Sequence, residues 1–265
     1  MNETKKKNTI VYFDIDGTLL DSSRDLPLSD ATIDAIGRLK ENGIIVAINT
    51  GRGYGFIPPE VMALECDAYI AGCGTYITYH GETVLNRLFS EEEASRIVEA
   101  FREARLDMIM EGPEHVYFEE VGFDPDVVES SRHLFNPNHS LRTLTQEAVL
   151  ANKISYVATT EEKDMYVRDA LADILTFILY PHQVREGLPH GFNKATGMEA
   201  LERLIGDAYT YAFGDSMNDI DMLERADVGI AMACGQSAAK EVSDKIALPL
   251  AEDGTAKMLA TLGLI

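Results

Sequence analysis

Residues 9–13 and 44–48 are short apolar runs, and each ends abruptly in polar turn residues. Asp14-Ile15-Asp16-Gly17-Thr18 follows the first and Asn49-Thr50-Gly51-Arg52 the second. A strand that is apolar on both faces must be covered on both faces, the condition of a parallel sheet flanked by helices. The segments between and after these runs supply the helices. Ser29 or Asp30 can cap a helix with Ile33, Ile36 and Leu39 on one side and Gly43 at its end. Pro58-Pro59 suits a helix start. A third strand is expected at 68–71, and residues 76–79 and 83–85 flank His80-Gly81-Glu82 as a hairpin.

The alternation resumes after about residue 190. Ala195, Met198, Leu201 and Ile205 lie at helical spacing before Gly206, and residues 209–213 read as a strand ending in Gly214-Asp215. Helices at 219–225, 237–242 and 255–262 then alternate with strands at 228–232 and 246–250. The pattern predicts an α/β fold with a doubly wound parallel-sheet, Rossmann-like core.

Between the halves the style changes. Ser90 and Glu93 form a capping box ahead of a helix carrying Ala94, Ile97, Val98 and Phe101 on one face. A hairpin is expected over 108–120 around Gly112-Pro113. Thr159 and Glu162 make a second box for a helix at 161–172, between strands at 154–158 and 175–180. This predicts a smaller α+β domain at 87–186, inserted into a core made of 1–86 and 187–265.

Composition narrows the partner. A chain of 265 residues, 46% of them apolar, can bury a large core. Asp and Glu outnumber Lys and Arg by 44 to 23, and the resulting charge of −21 repels nucleic acid and anionic membranes. A small molecule is the expected partner, and a phosphate ester can still enter such a field where a metal and a lysine reverse the local sign. Cys66, Cys73 and Cys234 show no CxxC spacing, which fits a reducing cytoplasm. The stretch containing Lys5, Lys6 and Lys7 leads into too short an apolar run for a signal sequence, and nothing approaches a membrane span. His80, His115, His133, His139, His182 and His190 form no helical ligand pair and read as surface or packing residues.

The chemistry lies where strands end. Gly17 lets the chain turn so that Asp14 and Asp16 address one small volume. Two carboxylates about 4 Å apart repel by about 4 kcal/mol at an effective dielectric near 20, so they require a cation or a shared proton. An EF-hand is excluded because Leu19 stands where its loop needs glycine. Thr50-Gly51 offers a hydroxyl and a backbone N–H to phosphoryl oxygens, although Thr-Gly is also ordinary turn chemistry. The nearby glycines of 51–55 do not fit a dinucleotide loop. Asp215 and Asp219 span a strand end and a helix start, where one could hold a metal and the other support it; capping of the helix is the competing reading. Lys194 heads an amphipathic helix and supplies a cation.

Taken in order, Asp14-Ile-Asp16-Gly-Thr18, Asn49-Thr50-Gly51-Arg52, Lys194 and Gly214-Asp215-Ser-Met-Asn218-Asp219 resemble the four motifs of the haloacid dehalogenase superfamily of phosphohydrolases. The insertion and Glu252-Asp253-Gly254-Thr255 resemble its Cof-like branch. The resemblance implies that Asp14 attacks phosphorus to form an aspartyl-phosphate while Asp16 protonates the leaving alcohol and later activates water. It implies Mg²⁺ held by the Asp14 carboxylate, the Asp16 backbone carbonyl and Asp215. Thr50, Gly51, Lys194 and Asn218 would bind phosphate, with Asp219 ordering metal-bound water or Lys194. The implied activity is a Mg-dependent phosphatase of small metabolites, sugar phosphates or phosphorylated cofactors. A phosphomutase with the same nucleophile and a non-catalytic phosphate-sensing module are the alternatives. Cys73-Gly74 and Cys234-Gly235-Gln236 depart from the branch's usual Asn-Gly and Gly-Asn-Ala; neither cysteine is assigned catalysis.

Overall fold

The computed structural model describes residues 8–119, 122–123, 140–144, 149–181 and 183–265. Lys5, Lys6, Lys7, His133, His139 and His182 lie outside these residues, as does residue 120 at the end of the expected 108–120 hairpin. An eight-stranded sheet contains β1 (Asn8–Phe13), β2 (Ile45–Asn49), β3 (Ala68–Ala71), β4 (Tyr76–Tyr79), β5 (Glu82–Asn86), β12 (Ala208–Gly214), β13 (Val228–Met232) and β14 (Lys245–Ala247). Its order is β14-β13-β12-β1-β2-β3-β4-β5. The six strands from β14 to β3 run parallel, and β4 and β5 close one edge as an antiparallel hairpin.

The apolar runs have the physical cause expected of them. Val11 and Phe13 pack on one face with Ile36 and Leu39 of the helix Asp30–Glu41 and Leu259 of the helix Gly254–Thr261. Ile10 and Tyr12 face the other way, onto Met198 and Leu201 of the helix Lys194–Ile205 and Met222 of the helix Ile220–Arg225. Alternate residues of one strand thus enter two separate cores, so every position must be apolar. Chain order reverses between β1 and β12, which opens a crevice beyond their carboxyl ends.

The second sheet follows the order β10-β11-β9-β6-β7-β8. It comprises β6 (Met108–Glu111), β7 (His115–Phe118), β8 (Ser140–Thr143), β9 (Lys153–Val157), β10 (Leu175–Leu179) and β11 (Val184–Pro189). The helices Glu91–Ala104 and Glu161–Ala170 supply its apolar core through Ile97, Phe101 and Val167. The Ser90–Glu93 box forms as expected. The second helix is capped by Thr160 rather than Thr159, its side chain accepting from the Lys163 amide. Strand β11 was not legible because Gly187 and Pro189 interrupt its pattern; it runs through the expected boundary between residues 186 and 187.

Candidate active site

Asp14 and Asp215 directly follow β1 and β12, and the parallel pairing of these strands sets them side by side. The Asp14 amide donates to the Phe213 carbonyl at 2.9 Å, tying the two strand ends together. Gly17 then turns the chain with φ of +84°, and a Cβ there would stand 2.4 Å from Asp215 Oδ2. Glycine is required twice over, by conformation and by the approach of a carboxylate. The Glu252–Thr255 stretch braces this turn from beneath, since Thr255 Oγ1 donates to the Thr18 carbonyl at 2.7 Å.

Lys194 arrives from 180 residues away. Asn193 caps its helix, and Asn49 Nδ2 donates to the Lys194 carbonyl at 3.0 Å, fixing the first turn under β2. The ammonium is wholly buried and donates to Asp14 Oδ1 at 2.6 Å and to Asp219 Oδ1 at 2.5 Å. Burial alone would discharge this lysine, yet the two carboxylates outweigh it and hold the ammonium above its ordinary range. The other Asp219 oxygen accepts the amides of Asp215 and Ser216 at 2.8 and 2.9 Å. Asp219 is therefore engaged on both sides.

Asp14, Asp215 and Asp219 present oxygens within 4.8 Å of one another. Burial pushes the Asp14 carboxyl well above the carboxylate range despite Lys194, and burial with the nearby Asp219 charge raises Asp215 to about 7. Asp215 Oδ1 is buried with no hydrogen-bond partner. An excess of carboxylate oxygen, one atom of it orphaned, fits a hard cation such as a divalent metal.

The remaining predicted residues gather around the same crevice. Asp14, Asp16, Thr50, Gly51 and Asn218 line a cavity of about 420 Å³ between the core and the second sheet. Thr50 and Gly51 follow β2, with the Thr50 amide bonded to the Ile70 carbonyl at 2.8 Å. A Cβ on Gly51 would meet Asn218 Nδ2 at 2.7 Å, so the two segments meet face to face. Asp16 lines the cavity beside Arg52, which grips both its oxygens at 2.7 Å.

Cys73 lies behind this wall. It takes a left-handed φ of +52°, a conformation that favours Asn or Gly, and burial pushes its thiol up to about 12. Gly235 and Gln236 instead support Asp215, whose carbonyl accepts the Gln236 amide at 2.7 Å.

Several residues of the cavity were not anticipated from sequence, Arg52, Lys153, Glu111 and Glu186 among them. Arg52 belongs to a quoted segment, but nothing local named Asp16 as its partner. Lys153 of β9 is fully buried and donates to Glu186 Oε1 at 2.7 Å and to the Gly51 carbonyl at 2.9 Å, with Glu111 3.3 Å away. A lysine at the head of an apolar strand was the available signal. Its partners on β6 and β11 required the sheet.

A doubly wound core with carboxylates at its switch point and a second sheet over the crevice is an arrangement that suits a hydrolase of phosphoric monoesters. The chain belongs to the haloacid dehalogenase-like hydrolases, whose family model matches residues 11–259, and is a phosphatase of the Cof-like type. It is 28% identical to YkrA of Bacillus subtilis over 97% of this chain and 98% of that protein. It is 27% identical to the 5-amino-6-(5-phospho-D-ribitylamino)uracil phosphatase YitU of the same organism, over 96% of this chain and 97% of that one. A solved structure from Geobacillus kaustophilus superposes with a TM-score of 0.83 at 29% identity, covering 97% of this chain and all of the other.

Proposed function

We propose that this phosphatase hydrolyses small phosphorylated metabolites, sugar phosphates or phosphorylated cofactors, through an aspartyl-phosphate on Asp14 in a Mg²⁺-dependent reaction. The observation that carries this reading is the fully buried Lys194 ammonium, held 2.6 Å from Asp14 and 2.5 Å from Asp219. A buried ion pair of this kind costs desolvation and is poor use of a core position for stability alone.

Asp14 is the nucleophile, since its carboxylate lines the cavity at the end of a rigid strand. Lys194 steadies that carboxylate and presents positive charge to the phosphoryl oxygens. Thr50, Gly51 and Asn218 receive the same oxygens from the β2 side. Asp219 supports the site by orienting Lys194 and the Asp215 and Ser216 amides. The Asp14 and Asp215 carboxylates, with the Asp16 backbone carbonyl, are the residues that would hold Mg²⁺. Bound there, the ion would offset the carboxylate repulsion and neutralise charge developing on the phosphoryl group. Asp16 takes up a proton from solvent, gives it to the leaving oxygen and then takes one from the water that opens the acyl-phosphate. One prong of its pair with Arg52 opens for that exchange while the other keeps the carboxyl oriented.

The relatives support the choice of substrate size. Besides YitU, the Escherichia coli pyridoxal phosphate phosphatase YbhA is 29% identical over 87% of this chain and 90% of that one. A panel of phosphorylated metabolites, assayed for free phosphate, tests the reading. Return of the phosphoryl group to substrate without phosphate release would favour a phosphomutase instead.

A further inference from the structure

The cavity's cations are spent before any leaving group enters. Six carboxylates line it among the described residues, against two cations, Arg52 and Lys153. Arg52 is committed to Asp16 through both its Nε and Nη2. Lys153 is committed to Glu186, Glu111 and the Gly51 carbonyl. Beyond the Asp14 end, the polar floor is therefore Glu111 and Glu186, further braced by Ser155 Oγ at 2.6 Å and Tyr180 OH at 3.0 Å. The opposing wall is apolar and comes from the second sheet and one core loop, through Ile109, Phe118, Val157, Val184 and Phe56.

We propose that this cavity selects phosphate monoesters whose leaving group is uncharged or cationic, lays an apolar face on the second sheet and donates hydrogen bonds to Glu111 and Glu186. Leaving groups that carry a second phosphate or a carboxylate are rejected. A second anion would sit beside these carboxylates, in a partly desolvated space where no lining cation among the described residues is free to meet it. A hydroxyl, amide or ammonium meets acceptors there instead. Glu186 is the specificity-determining residue, because its two oxygens join the Lys153 pair to the cavity floor. This inference rests on the phosphatase reading of the same cavity.

Three esters of matched shape test it: benzyl phosphate, 4-(aminomethyl)benzyl phosphate and 4-carboxybenzyl phosphate, each assayed for phosphate release with Mg²⁺. The carboxylate is expected to lower kcat/KM about tenfold or more relative to benzyl phosphate, and the ammonium to match or raise it. Glu186→Gln and Glu111→Gln, which keep the side-chain shape, should narrow the carboxylate penalty severalfold, read as the ratio of 4-carboxybenzyl to benzyl phosphate kcat/KM within each variant. Equal kcat/KM for all three esters overturns the selection and leaves the phosphatase reading intact. An unchanged penalty in both glutamine variants overturns the role given to the glutamates. Failure to hydrolyse any of the three, in a folded enzyme supplied with Mg²⁺, overturns the inference and the phosphatase reading together.

Discussion

Arg52 holds Asp16 by a two-pronged ion pair, Nε to Oδ2 and Nη2 to Oδ1, both at 2.7 Å. The guanidinium fork matches a carboxylate and fixes its plane as well as its position. The same arginine is anchored by its Nη1 to the Phe56 carbonyl at 3.2 Å, so it is itself restrained. Asp16 is half-exposed and has no other side-chain partner of comparable geometry among the described residues. Arg52→Met is therefore expected to lower kcat about tenfold, with a smaller change in KM, because the carboxyl proposed to transfer the proton loses its orientation. Steady-state hydrolysis of a phosphate ester checks this; an unaltered kcat would make the pair a bystander.

Asp14→Asn should reduce turnover by about a thousandfold or more, since an amide keeps the shape but is a poor nucleophile. Folding should survive, because burial already disfavours the charge at this position and Lys194 retains Asp219. Phosphate release and a thermal melt on the same sample separate the two effects. Undiminished hydrolysis would remove Asp14 from the mechanism.

Lys194→Met removes the cation between two buried carboxylates. Breaking one side of such a cluster costs about 3–5 kcal/mol, so a lowered denaturant midpoint is expected along with loss of activity. The double variant Lys194→Met/Asp219→Asn should regain part of the stability without regaining activity. Equal midpoints for the single and double variants would contradict the charge argument.

Chelation should stop turnover, and the metal-free protein should show an inverted pH response. Burial and Asp219 raise the Asp215 carboxyl to about 7, above its unfolded value, so the folded state binds the extra proton. Its contribution is fully present below about pH 4 and is lost as pH rises through about 7. Mg²⁺ binding needs the ionised form, so added Mg²⁺ should raise the melting temperature more at about pH 7.5 than at about pH 5. Melts at the two pH values, with and without Mg²⁺, measure this. An equal Mg²⁺ effect at both would rule out Asp215 as the titrating ligand.

Gly17→Ala is expected to impair activity and stability together. Its Cβ would press on Asp215 Oδ2 at 2.4 Å, and φ of +84° is costly for any L side chain. A loss of about 1–2 kcal/mol from conformation alone is expected. Retention of both properties would mean that the turn can relax away from Asp215.

The sequence by itself determined the core. Two-sided apolar runs demanded a covered parallel sheet, and Asp14, Thr50 and Asp215 stood where such strands end, so both the crevice and its principal acids were legible from local patterning. Tertiary structure decided what no local pattern contains. Lys194 meets Asp14 across 180 residues only because their elements pack at the same sheet, and Asp16 pairs with Arg52 only because β1 and β2 end together. Strand β11 stayed hidden behind Gly187 and Pro189, and with it the Glu186 that meets Lys153. Periodicity records which face of an element must be dry; which charge faces which is settled by packing between distant segments.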